Sequence, residues 1–111
     1  MAGKSANYTC SHLSDNVGLF LLCEVALGKP RELHGTDHDA DNLPKGFHST
    51  KGLGVKHPDP ALCKIIVKDI TVPSGKVIAS KDKKAYRGAN EFIVYNVDQV
   101  KIRYLVKVKI N

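Results

Sequence analysis

The chain has 111 residues and a mass of 12.1 kDa, enough for one domain or a piece of one, with a core that removes roughly two thirds of its unfolded surface from water. With 42% hydrophobic and 25% charged residues it reads as globular, and no run approaches the ~18 apolar residues of a membrane span or resembles a secretory leader. The net charge of +6 lies in the second half: residues 1–60 hold six Lys/Arg against seven Asp/Glu, and residues 61–111 hold eleven against four. Such a field favours polyanions or the pyrophosphate of a dinucleotide, although a solvated lysine face explains it at least as well. Cys10, Cys23 and Cys63 are odd in number and lack C-x-x-C spacing, which argues against a disulfide framework and for a reducing compartment.

In chain order, a short helical turn is expected at residues 4–8. Residues 17–26 are almost continuously apolar, with β-branched and aromatic members and a stop at Gly28 and Pro30, which predicts a strand buried on both faces. Residues 29–60 show little periodicity and are punctuated by Gly35, Pro44, Gly46, Gly52, Gly54, Pro58 and Pro60, so a long irregular connection is expected there. Three short strands follow at 65–67, 70–72 and 77–79, with Pro73-Ser74-Gly75 as a turn, and then a polar loop at 81–88. Residues 91–97 predict a strand, and Asp98 and Gln99 a turn. From 100 to 110 the sequence alternates, with Val100, Ile102, Tyr104, Val106, Val108 and Ile110 on one side and Lys101, Arg103, Lys107 and Lys109 on the other. The sum is an α+β, mostly antiparallel β domain of four to six strands with little helix.

Two features carry chemistry. Lys4-Ser5-Ala6-Asn7-Tyr8 places an ammonium group, a hydroxyl and an aromatic ring within one turn, and Glu91 is a lone carboxylate at the head of an apolar strand. Together these groups can hold a flat heteroaromatic amide by stacking and one hydrogen bond, while the carboxylate faces a sugar carbon that becomes cationic as its bond breaks. Each has a plainer reading: Tyr8 as a core or interface tyrosine, Ser5 as a helix cap, Glu91 as a solvated strand end. His34, Asp37, His38, Asp39 and Asp41 crowd one loop, but Gly35 argues against the helix that would converge a His-x3-His pair on a metal. Gly52-Leu53-Gly54 lacks the context of a phosphate-binding loop and reads as backbone geometry beside a pocket. Cys10 and His12 make a poor nucleophile pair.

Seven motifs occur in order: Lys4 to Tyr8, Gly18 to Gly28, Leu43-Pro44-Lys45-Gly46, Lys51-Gly52-Leu53-Gly54, Pro58-Asp59-Pro60, Asn90 to Tyr95 and Arg103-Tyr104-Leu105. Across residues 1–111 this series resembles the C-terminal half of the catalytic domain of the nuclear, DNA-damage-activated poly(ADP-ribose) polymerases. The resemblance implies the C-terminal portion of the ADP-ribosyltransferase split β-sandwich, with NAD as substrate and proteins or growing ADP-ribose chains as acceptors. It implies a nuclear location, no membrane partner, and DNA sensing only through other domains. By the same resemblance Ser5 donates to the nicotinamide carboxamide, Tyr8 stacks on its ring, Lys4 lies beside the catalytic centre, and Glu91 holds the 2′-hydroxyl of the nicotinamide ribose and orients the acceptor. Residues 64–90 match the loop bordering the acceptor side.

Three departures accompany the resemblance. The family's upstream His-Gly pair, which binds the adenosine ribose and the carboxamide, has no counterpart before Lys4, and His34-Gly35 is in the wrong place to supply it. Met1 matches a methionine just ahead of the Lys4 motif, so residues 1–111 are expected to be a fragment whose N-terminal catalytic half is missing. Ala89 stands two residues before Glu91, where close members often carry an aromatic, and the chain stops at Asn111 without their short aromatic tail. Two rival readings remain: a non-catalytic remnant or binding module, and direct nucleic-acid binding through Lys101, Arg103, Lys107 and Lys109, which would weaken steeply with salt.

Overall fold

The computed structural model describes residues 3–110, with all of their side chains except those of Lys68, Tyr86 and Arg87. Met1 and Asn111, to which expectations were attached above, lie outside the described residues. The order begins with a one-turn helix α1 (Gly3–Asn7) and a 3-10 turn at Ser11–Leu13. Asp15 and Asn16 then take the left-handed conformation that short polar side chains tolerate, and the chain reverses into β1 (Val17–Val25). Nine further strands follow: β2 (Pro30–Leu33), β3 (Ser49–Gly52), β4 (Gly54–Pro58), β5 (Lys64–Ile66), β6 (Ile70–Val72), β7 (Val77–Ala79), β8 (Tyr86–Ala89), β9 (Glu91–Ile93) and β10 (Val100–Lys109). No described helix is long and apolar enough to cross a membrane.

The longest pairing joins β1 to β10, antiparallel from Val17 opposite Lys109 to Val25 opposite Val100. The register slips between Leu22 and Cys23, where Arg103 is the extra residue on β10. A slip of one residue exchanges the faces of a strand. Val100 and Ile102 therefore share the side of Cys23 and Val25, not that of Tyr104 and Val106, which corrects the unbroken alternation read from the sequence. Beyond the bulge the alternation holds: Val106, Val108 and Ile110 are half-buried, whereas Lys107 and Lys109 are exposed.

Three smaller sheets carry the rest. β3 is central in the order β2-β3-β9, parallel to β2 and antiparallel to β9; β4 is central in β7-β4-β8, antiparallel to β7 and parallel to β8; β5 and β6 form an antiparallel pair. Residues 29–60 thus hold three strands, and the longest irregular stretch among them is 34–48. The polar loop expected at 81–88 ends where β8 begins, and β9 is shorter than expected because Asn96 caps a 3-10 turn at Val97–Gln99. Among the described residues ten strands replace the four to six anticipated, still mostly β with antiparallel pairings in every sheet.

A junction at Gln99 ties the long ribbon to the β3 sheet. Its side-chain amide donates to the carbonyls of Ala26 and His48, 2.9 Å each, and its own carbonyl accepts from the Ala26 N–H at 2.8 Å. Gly28, at φ 55°, passes beneath His48, whose ring would lie 2.7 Å from a Cβ there, and the His48 ring nitrogen accepts from the Lys29 N–H. A side chain at 28 would push these apart.

The expectation that β1 is buried on both faces fails. Among the described residues no apolar side chain is fully buried: Leu19, Leu21 and Leu22 all remain more than half exposed, and the two fully buried side chains are the polar Ser49 and Thr50. The accessible surface is 8781 Å², against about 6,000 Å² for a folded monomer of this mass. The radius of gyration, 15.1 Å, likewise exceeds the roughly 13 Å of a compact chain of this length.

The turn after β7 carries a pH-sensitive bond. Asp82 accepts from the Lys84 backbone N–H at 2.9 Å and pairs with the His34 ring at 2.8 Å, and these partners, the backbone bond first, hold its carboxyl below the usual 3.8. A carboxylate depressed in the folded state contributes stability that is complete above its unfolded value and is lost as pH falls through its folded value. We therefore expect the Lys84 amide resonance to titrate with a midpoint below 3.8, and Asp82→Ala to flatten that titration. A midpoint at the ordinary aspartate value would contradict it.

Candidate active site

Glu91 owes its position to being the first residue of β9, where it stands opposite Gly52 of β3. Strand alternation puts Glu91, Gly52, Thr50 and Ile93 on one face of this sheet and Lys51 and Phe92 on the other. Just past the end of β9, the Tyr95 hydroxyl donates to Thr50 Oγ1 at 2.8 Å, which ties the buried Thr50 of β3 to the segment that follows β9.

The helical turn α1 reaches the same place from the other end of the chain. Thr9 donates to the Ala6 carbonyl at 2.8 Å, and its side chain packs against Gly18 of β1, where a Cβ would meet it at 3.1 Å. That contact lays α1 along the ribbon, with Tyr8 beside β1 and Val106. Ser5 sits inside α1 and does not cap it. Lys4 turns toward β9, where its ammonium group forms an ion pair and hydrogen bond with Glu91 Oε1.

The four residues singled out from the sequence thus meet. Lys4, Ser5, Tyr8 and Glu91, with Ala89, Asn90, Phe92 and Ile93, line one cleft of about 320 Å³, at the lower end of small-molecule sites. Tyr8 is 77% exposed, so its ring is free to take a planar ligand. A second cleft of about 350 Å³ lies on the other side of Glu91, with Leu33, Thr36, Asp37, Thr50 and Gly52 in its wall, and Lys4, Ala89, Glu91 and Ile93 belong to both. Glu91 therefore lines both clefts.

The remaining candidates take other roles. Asp37 receives Arg31 at 3.0 Å, and His34 turns to Asp82. The basic stripe of β10 is partly neutralised, since Arg103 is paired with Glu24 and Lys101 stands opposite the same glutamate. Gly54 was legible only as backbone geometry, and Asn90 only as a letter in a motif. In the fold the Gly54 N–H donates to Asn90 Oδ1 at 2.8 Å, next to Glu91.

Comparison with known proteins gives a consistent result. The family described as the poly(ADP-ribose) polymerase catalytic domain matches residues 1–110. Over 111 residues, the whole of this chain, it is 46% identical to Poly [ADP-ribose] polymerase 2 of Arabidopsis thaliana and covers 17% of that protein. It is 49% identical to Poly [ADP-ribose] polymerase 2-A of Oryza sativa subsp. japonica, again covering 17%. To Poly [ADP-ribose] polymerase 1 of Danio rerio it is 43% identical over the same span, covering 11%. The chain thus spans about a sixth or less of the length of these relatives.

Proposed function

The chain belongs to the poly(ADP-ribose) polymerase catalytic-domain family, and on that footing we propose that it supplies the Glu91-bearing part of an enzyme that transfers ADP-ribose from NAD to proteins and extends it into polymer. The observation that carries this reading is the single cleft shared by Lys4, Ser5, Tyr8 and Glu91. NAD enters as substrate, nicotinamide first. The Tyr8 ring stacks on the nicotinamide, and the Ser5 hydroxyl donates to its carboxamide oxygen, which fixes the plane of the leaving group.

As the bond between nicotinamide and ribose stretches, the ribose carbon gains oxocarbenium character and nicotinamide departs as a neutral base. A carboxylate beside that carbon lowers the barrier by opposing the developing charge. Glu91 fills that role, accepts from the ribose 2′-hydroxyl and takes the proton of the incoming acceptor hydroxyl as the new bond forms. Lys4 stays paired with the carboxylate before substrate arrives. The acceptors are protein side chains and the ends of ADP-ribose chains. The resemblance to the nuclear enzymes carries a nuclear location and a part in DNA repair, with DNA bound elsewhere in the protein.

Tyr8→Ala tests the stacking role. Aromatic stacking on a nucleobase is worth about 1–3 kcal/mol, so the KM for NAD in the intact protein is expected to rise by about tenfold or more, with Tyr8→Phe close to the parent. An unchanged KM in Tyr8→Ala would remove Tyr8 from the site. A second reading, a non-catalytic module, draws on the openness of the cleft and the high exposure of Tyr8. Titration calorimetry of NAD into the intact protein, parent against Tyr8→Ala, separates the two, since micromolar affinity that Tyr8→Ala weakens would count against an inert module.

A further inference from the structure

We propose that Asn90 is a positioning residue that sets the direction of the Glu91 carboxylate by clasping the backbone of Gly54. This rests on the reading of Glu91 as the carboxylate that faces the reacting ribose. Glu91 is the terminal residue of a three-residue strand, and strand ends fray. Its partner Lys4 is itself more than half exposed, and ion pairs between exposed side chains hold geometry weakly. The direction of the carboxylate must therefore come from the backbone on either side of it.

On the C-terminal side, β9 is held by its ladder to β3 and by the bond from Tyr95 to Thr50. On the N-terminal side the ladder changes partners. β8 runs parallel to β4, β9 runs antiparallel to β3, and the two switches fall at Asn90 and Leu53. Gly54, just past the switch, is buried, and its N–H donates to Asn90 Oδ1 at 2.8 Å. The carboxamide of Asn90 thus stands in for the ladder bond that the switch removes, one residue before Glu91.

The contact admits no slack. A Cβ at Gly54 would lie 2.1 Å from the Ala89 carbonyl carbon and 2.5 Å from the Asn90 nitrogen, so two stretches of main chain touch directly. Glycine at 54 permits the approach, and the short amide at 90 locks it. The chain's Gly52-Leu53-Gly54 therefore serves two ends of one device: Gly52 leaves room opposite Glu91, and Gly54 receives the strand that delivers it. Aspartate at 90 would keep the acceptor but add a charge beside Glu91; glutamine would displace the amide by one methylene.

The test uses the intact polymerase, with NAD affinity and elongation rate measured for each variant. A misplacement near 1 Å can cost about 100-fold in rate, so Asn90→Ala is expected to lower elongation kcat by roughly 10- to 100-fold while the KM for NAD moves less than about twofold. Asn90→Asp should recover most of kcat, because it keeps an acceptor for the Gly54 N–H. In a Glu91→Gln background, Asn90→Ala should add little, since residues acting through one group are not additive. Where Asn90→Ala does not accumulate folded, Asn90→Gln serves: a fall in kcat at constant KM supports the clasp, and parental kcat overturns it. Equal losses in kcat and NAD affinity, or full additivity with Glu91→Gln, would also overturn it. Full elongation by Glu91→Gln would instead overturn the reading of Glu91, a distinguishable failure.

Discussion

Glu91→Gln in the intact protein is expected to lower chain elongation by about two to three orders of magnitude, the usual scale for removing one electrostatic partner of a transition state, while NAD affinity changes by less than about threefold. The substitution keeps shape and one hydrogen-bond acceptor but removes the charge. In the proposed pose the charge on the ribose carbon is small in ground-state NAD and grows as the bond to nicotinamide breaks. The ribose carbon becomes cationic only as the bond breaks, so the loss falls on kcat. A hydroxyl acceptor also needs a base, and glutamine is none. Simple hydrolysis of NAD should survive better than elongation, since water is a less demanding acceptor than a positioned sugar hydroxyl. Comparable polymer from the variant and the parent would end the assignment.

The second large effect concerns the 111 residues taken alone. Purified in isolation, they are expected to show no sharp calorimetric transition, to bind hydrophobic dyes and to self-associate in size-exclusion chromatography. Burying one large apolar side chain contributes about 1.5–3 kcal/mol, and among the described residues no apolar side chain is fully buried. The surface exceeds that of a compact monomer by about 2,800 Å², the scale of an obligate interface. Much of the excess is on the β1–β10 ribbon, where Leu19, Leu21, Leu22, Ile102, Tyr104 and Leu105 all remain exposed. Cooperative melting from a dilute monomer would contradict this directly. Recovery of a sharp transition on adding a companion polypeptide that covers the ribbon would support it.

What the sequence made legible follows from which forces leave a local trace. β10 was visible because its apolar residues alternate at the period of a strand, and β1 and the short strands β5 to β7 because their apolar, β-branched runs stop at turn residues. β2, β3, β4 and β8 were not, since Pro-Arg-Glu-Leu, Ser-Thr-Lys-Gly, Gly-Val-Lys-His-Pro and Tyr-Arg-Gly-Ala are held by backbone pairing, including parallel pairs that no local pattern marks. The continuous apolar run also misjudged the burial of β1, because such a run reports a need for cover without supplying it. The bulge at Arg103 escaped for a related reason: register belongs to two strands together.

The site divides in the same way. Lys4, Ser5, Tyr8 and Glu91 were named from motif resemblance, and the fold brings them to one cleft. Asn90 and Gly54 stand 36 positions apart and are joined by a single side-chain to backbone bond. Neither neighbourhood in the sequence hints at the other.

The pairing of β1 with β10 has a consequence for biosynthesis. The ribosome delivers Val17 more than ninety residues before Lys109, its partner across the ladder. Until translation has passed β10, the leucine-rich β1 lacks the strand it pairs with among the described residues. Premature termination within β10 should therefore yield polypeptides handed to chaperones and proteases, not slow enzymes.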